Sequence, residues 1–293
     1  MTRIRPGEIA AAFVAACRAE LEALKPGNVH VHADGHGMTV MDFVRSAEVS
    51  APFIADPGSG IGARVLAAVE ATRAACGQNT NLGILLLAAP LAAAAQAGGS
   101  LPDALARLLA GLDVADAASA YRAIRLASPG GLGRSEHHDV AAEPVVTLLE
   151  AMRTAAGKDR IARQYVTGFA DVLTLGLPRL RMARAAGWPE PWAVTATFMV
   201  FLARFPDTHI VRKHGPDVAE KVRATAAGLD PLLLAADDPT ALQPLLLALD
   251  GELKRAGINP GTSADLAVAS CFADLLVGLA ETGPMPGDPP TRR

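Results

Sequence analysis

The chain has 293 residues, 51% of them hydrophobic and 19% charged, which is ample core material for one large domain or two tightly packed ones. A formal net charge of −3 gives no general reason to expect a nucleic-acid partner. Cys17, Cys76 and Cys271 are scattered and form no CxxC pair, which points to packed thiols in a reduced, cytoplasmic protein.

The opening "MTRIRPGEIAAAFVAACRAE" does not read as a signal peptide, because Glu8, Arg18 and Glu20 interrupt its apolar stretch. It reads as a helix. Ile9, Ala12, Phe13, Ala16, Cys17, Leu21 and Leu24 recur at spacings of three and four, and Pro26-Gly27 ends the stripe. The same periodicity predicts helices over 61–76, 82–97, 101–110, 113–127, 143–156, 158–175, 191–203, 215–227, 239–256 and 263–281. The longest apolar run, "ILLLAAPLAAAAQAGG", holds Pro90 and falls short of the ~20 residues that a bilayer span needs, so a buried helix without membrane contact is expected. "HVHADGH" could be a short extended piece, but nothing in the sequence offers it a partner. The expectation is an all-α fold, a single compact bundle of roughly ten or more helices over residues 1–281. The proline-rich segment 282–293 is expected to be a disordered tail. No fixed-period repeat and no linker divides the chain.

The polar chemistry is gathered between the helices. All seven histidines fall in three Gly- or Pro-flanked stretches, and loops on a rigid scaffold are where sites are usually built. "KPGNVHVHADGHGMTVMDF" (25–43) holds His30, His32 and His36. There Lys25 closes one helix, Gly27 permits close backbone approach, and Asp42 opens the next helical pattern. "GQNTNLG" (77–83) offers Asn79, Thr80 or Asn81 as a cap, and uncapped amides at that helix start would suit an anion; a plain turn is the alternative. "SPGGLGRSEHHD" (128–139) holds His137 and His138, and its Gly130, Gly131 and Gly133 allow a tight backbone cradle beside Arg134. It is neither a Walker loop nor a dinucleotide fingerprint. "RIARQYVTGFADVLTLGLPRL" (160–180) carries Arg160, Arg163, Tyr165 and Asp171 on an amphipathic helix whose charged face could simply be solvated. "FPDTHIVRKHG" (205–215) crowds Asp207, His209, Arg212, Lys213 and His214 together. A carboxylate among cations suits a metal–triphosphate site, because Mg²⁺ takes one or two carboxylates and leaves the rest of its shell to phosphate and water. "NPGTSADL" (259–266) puts Thr262 or Ser263 at a cap position and Asp265 in the first turn of the last helix, which could be capping alone. Segments 25–43, 77–83, 128–139 and 205–215 are expected to line one cleft.

The ordered set Lys-Pro-Gly…Met-Asp-Phe, Asn-Thr-x-x-Gly, Arg-x-Tyr-x-x-Gly-Phe, Asp-Thr…Arg-x-x-Gly and Pro-Gly-x-x-Ala-Asp-Leu resembles the triphosphoribosyl-dephospho-CoA synthase family over about residues 20 to 280. The resemblance implies an all-helical transferase. In that family the 2′-hydroxyl of dephospho-CoA attacks the ribose C1 of ATP and adenine leaves. The product is the precursor of a prosthetic group in citrate or malonate decarboxylating systems. ATP as donor substrate, Mg²⁺ and small-molecule cofactor precursors follow as expected ligands, with a homodimer as one arrangement of the chain. For that reaction the nucleotide is assigned to Lys25, Gly27, Asn79, Thr80, Gly83, Arg212 and Lys213 in the matching motifs, and to Gly130, Gly131 and Arg134 in the glycine cradle, a segment that looks unlike the usual members. The same reading makes Asp42 and Asp207 metal ligands or base, with His36 beside them in catalysis.

Two departures bear on the substrate. The family's usual Asn-Thr-His-Lys-Gly is Asn79-Thr80-Asn81-Leu82-Gly83 here, and the acid usual after "KPGxV" is His30. Either Arg134 or Lys213 makes up the lost cation, or the donor is less charged than ATP. The paired change favours the second, so a related cofactor-building transfer, for example toward methanopterin-linked one-carbon carriers, stands beside the first reading. A different class is an all-helical His-Asp phosphohydrolase, in which His138-Asp139 joins His30, His32, His209 or Asp207 around a transition metal. A helical interaction protein without activity is a third class, and the clustering of polar residues at junctions speaks against it.

Overall fold

The computed structural model describes residues 4–129 and 137–282. The chain runs α1 (Pro6–Glu22), α2 (Val40–Ile54), α3 (Ile61–Cys76), α4 (Leu82–Ala97), α5 (Leu101–Ala110), α6 (Val114–Ala127), α7 (Leu148–Ala155) and α8 (Arg160–Thr167). It continues through α9 (Leu177–Ala185), α10 (Glu190–Arg204), α11 (Thr208–His214), α12 (Pro216–Ala235), α13 (Gln243–Arg255) and α14 (Gly261–Thr282). The fold is all-α, as expected, and the described residues contain no strand.

Two apolar helices organise the bundle. Every side chain from Ile84 to Ala92 of α4 is buried, and a helix apolar on all sides belongs in the centre of a core. It packs against α14, α5 and α3, while α14 also packs on α1 and α10. By length and composition α14 could cross a membrane, but most of it is buried against these neighbours. Short polar side chains start many of the helices. Thr39, Asp113 and Thr147 each cap the amide three residues on, and the acid at that position returns the bond. The Thr39 and Thr147 caps hold the starts of α2 and α7, which reach the cleft described below through Phe43 and Leu148.

Several boundaries differ from the periodicity. The helix expected over 158–175 stops at Thr167, because Gly168 and Phe169 take left-handed φ values of 63° and 62°. The chain resumes as one π turn, Val172–Gly176, and runs into α9, whose arginine-rich sequence shows little apolar periodicity. The helix expected over 143–156 starts only at Leu148, behind the Thr147 cap. "HVHADGH" has no partner strand and closes on itself through isolated bridges, His30 with Ala33 and Gly35 with Met38. The expected tail beyond residue 282 lies outside the described residues.

Candidate active site

The junctions converge. Residues from 28–43, 77–83, 128–129, 138–140 and 209–213 line one cleft of about 640 Å³, which the 259–265 stretch at the start of α14 completes. Its floor is apolar, with Phe43, Leu86, Ile124, Leu148 and Met152. Its walls carry the cations Arg73, Arg212 and Lys213, the histidines His36, His138 and His209, and the carboxylates Glu20, Asp159 and Asp265.

One wall is the start of α4. Asn79 Oδ1 accepts from the Leu82 amide at 3.1 Å, and the Thr80 hydroxyl lies 2.6 Å from that of Ser46 on α2. Gly83 and Ile84 lie in the first turn, where amides have no partner inside the helix. Against this turn sits Asp265 of α14. Gly83 is required there, because a Cβ in its place would overlap the Asp265 carboxylate. Asp265 has no hydrogen-bond donor among the described residues. Burial pushes its pKa well above the usual carboxylate range, and the charges of Asp207, Glu20 and Asp159 push it the same way. His209 lies against Gly261, one turn before Asp265 at the start of the same helix. Burial lowers the His209 pKa to about 3, helped by Lys213, Arg212, His36 and His214, so its imidazole is neutral at ordinary pH. The cleft therefore offers cations, helix amides, a neutral imidazole and one unsatisfied carboxylate facing a common space.

Of the residues singled out in the sequence, His36, Asn79, Thr80, Gly83, Arg212 and Lys213 line this cleft. His36 holds a left-handed backbone with its Nε2 2.8 Å from the Gly27 carbonyl. Gly130, Gly131 and Arg134 lie outside the described residues. Four others are engaged elsewhere, which corrects their placement. Lys25 is fully buried, and its Nζ lies 2.6 Å from Glu20 Oε1 and donates to the Val29 carbonyl at 2.6 Å. Gly27 is a turn with φ 82°, packed on Leu253 and Pro260, and its amide donates to Asp250. Asp42 closes the capping box with Thr39.

Asp207 is the N-cap of α11. Its Oδ1 accepts from the His209 and Ile210 amides, and its Oδ2 from the Ser263 amide and hydroxyl, both at 2.8 Å. Four donors saturate this carboxylate and tie α11 to α14. Asp207→Asn is therefore expected to destabilise the protein, since its NH₂ would face a donor in place of an acceptor. An unsatisfied buried polar group costs about 1–3 kcal/mol, several degrees of melting temperature. A calorimetric Tm equal to that of the wild type would show that the four bonds are dispensable.

Sequence reasoning missed Asp265 as more than a cap residue, and it missed Arg73 and Glu20 altogether. Among the described residues, no three His, Cys, Asp or Glu side chains are grouped to hold a metal ion. Asp42 is taken up by its cap and Asp207 by its four donors, and the His-Asp phosphohydrolase loses its ligand set. His30 goes instead to a buried cluster, 3.2 Å from Asp250 Oδ1 and 3.4 Å from Lys254 Nζ.

A family model described as ATP:dephospho-CoA triphosphoribosyl transferase matches residues 6–283. A protein of Stutzerimonas stutzeri named probable 2-(5''-triphosphoribosyl)-3'-dephosphocoenzyme-A synthase is 28% identical over 217 residues, which is 72% of this chain and 65% of that protein. One of the same name from Pectobacterium carotovorum is 36% identical over 100 residues, 34% of this chain and 31% of that protein. The chain spans less than two thirds of the length of these two curated relatives. A crystal structure from Archaeoglobus fulgidus, described as that of a candidate triphosphoribosyl-dephospho-CoA synthase, superimposes with a TM-score of 0.62 at 27% identity. The match covers 80% of this chain and 98% of that one.

Proposed function

The chain belongs to the ATP:dephospho-CoA triphosphoribosyl transferase family, and we propose that it moves the triphosphoribosyl group of ATP onto dephospho-CoA with release of adenine. The observation that carries this reading is Asp265. It is a carboxylate without a protein donor, set against the start of α4 in a cleft whose other walls carry Arg73, Arg212 and Lys213.

Each part has work in that reaction. The 2′-hydroxyl oxygen of the acceptor bonds to C1 of the donor ribose, and the bond from C1 to adenine breaks. The hydroxyl proton passes to Asp265 and leaves with adenine. Carboxylate charge beside C1 also favours the positive charge that develops there as adenine departs. The α4 amides and the wall cations offset the triphosphate. Arg73, in the last turn of α3, supplies a cation next to the loop that has Leu82 where the family resemblance implies lysine. ATP therefore remains the favoured donor. Mg²⁺ enters as the companion of the triphosphate, with phosphate and water supplying most of its shell. Three free cysteines fit a reduced, cytoplasmic setting.

Incubation with ATP and dephospho-CoA together should release adenine, followed by chromatography, with the coupled product identified by its mass. Either substrate alone should release none. Leu82→Lys should change the rate by a few-fold at most, because Arg73 already serves that wall. A wild type that is silent, with activity appearing only in Leu82→Lys, would overturn ATP as the natural donor and favour a less charged one.

A further inference from the structure

A second cavity, of about 790 Å³, abuts the first. The two share His138, Asp159 and Arg212 in their common wall. Each volume lies within the ~300–1,000 Å³ typical of a pocket for one small ligand, so two nucleotides call for both. The second cavity is electropositive, with Lys158, Arg160, Arg163 and Arg212 set against Asp139 and Asp159. Arg160 is already committed, bidentate to Asp171 at 2.7 and 3.0 Å and stacked on the Phe205 ring. Lys158 and Arg163 have no carboxylate partner among the described residues. Two uncommitted cations at the mouth of a cavity whose far wall is a substrate cleft are placed to receive an anion.

We propose that the second cavity binds the pyrophosphate arm of the acceptor, a pantetheine-bearing nucleotide, through Lys158 and Arg163. This inference rests on the transferase reading and adds to it which side each substrate enters from. The donor triphosphate lies along α4 and Lys213 in the first cleft. The acceptor approaches from the α7–α8 side, and the two riboses meet at the Asp159–Arg212 wall. Separate cation sets let two polyanions sit within bonding distance without sharing counter-charge.

The test is calorimetric titration of the full chain with ATP and with dephospho-CoA. Three proteins are compared: wild type, the double variant Lys158→Gln/Arg163→Gln, and Lys213→Gln, which alters the first cleft alone. Both cations of the pair are exposed, so the double variant is expected to keep the wild-type Tm. Loss of two charge-assisted phosphate contacts should weaken dephospho-CoA binding at least about tenfold, with ATP affinity unchanged. Lys213→Gln should show the reverse selectivity. Unchanged dephospho-CoA affinity in the double variant, equal weakening of both ligands, or a wild type that does not bind dephospho-CoA would each overturn the assignment. A wild type that binds both ligands selectively but releases no adenine would sink the proposed activity and leave the cavity assignment standing.

Discussion

Asp265→Asn is expected to slow adenine release on the order of a hundredfold or more, the scale set by loss of a positioned proton acceptor, while leaving the protein at least as stable as the wild type. The two halves of this outcome come from the same fact. Asp265 sits partly exposed in the cleft wall with Asp207, Glu20 and Asp159 acting on it and no hydrogen-bond donor among the described residues. A carboxylate so placed is costly to ionise. Its folded pKa is raised, so the native state holds this proton more tightly than the unfolded chain does. Stability is therefore lost as pH rises from the ordinary carboxylate value of 3.8 through the folded value. The amide variant escapes that loss. Its gain in Tm should appear above this window and vanish at acid pH, where wild-type Asp265 is protonated too. Activity has the opposite sign, because only the ionised form can take a proton. The acid limb of the wild-type rate profile should accordingly lie nearer neutrality than an ordinary aspartate would put it. An Asn variant that keeps wild-type turnover, or that loses turnover together with Tm, would show that Asp265 is a packing residue.

The contrast between Asp265 and Asp207 shows what sequence could and could not give. Both lie near helix starts flanked by Thr or Ser, yet in the sequence Asp207 reads as a metal ligand or base and Asp265 as a first-turn residue that could be capping alone. The sequence signal for a cap is local, and Asp207 has it in full, with two amides of α11 on one oxygen. The remaining two donors come from Ser263, far along the chain, and only the fold brings them. Asp265 is the converse case. Its first-turn position suggests a cap, but the contact that defines it is Gly83 of α4, which only the packing of α4 on α14 creates. Arg73 was invisible for a similar reason. A single arginine in the last turn of a helix looks like a solvated end until the loop after it turns into a cleft wall. What was legible was the gathering of polar residues at junctions, because apolar periodicity marks the helices and leaves their ends as the only place for chemistry. The break at Gly168 was less legible, since the apolar stripe resumes beyond it and hides a left-handed pair of residues.

Lys25 is where reading by motif and reading by burial diverge most, and it carries the largest expected effect on stability. A lysine before Pro-Gly at the mouth of a site looks like a phosphate ligand. Here it has no exposed surface, and Glu20, one turn back near the end of α1, holds its ammonium at 2.6 Å. Burial drives both groups toward their neutral forms, and their mutual attraction opposes this. Such a pair adds little net stability, yet removing one member leaves the other buried without compensation. Lys25→Met should therefore cost about 3–5 kcal/mol, roughly 10 °C or more in Tm. The double variant Lys25→Met/Glu20→Leu should recover most of that loss, because well-packed apolar side chains can replace a buried ion pair at small cost. Chemical denaturation of the wild type, both single variants and the double variant gives the coupling directly. A phosphate ligand would behave in another way. Lys25→Met would then keep its Tm and weaken ATP binding, and Glu20→Leu would not rescue it. The cycle thus assigns Lys25 either to the core or to the nucleotide. The 2.6 Å contact between two side chains with almost no exposure puts it in the core.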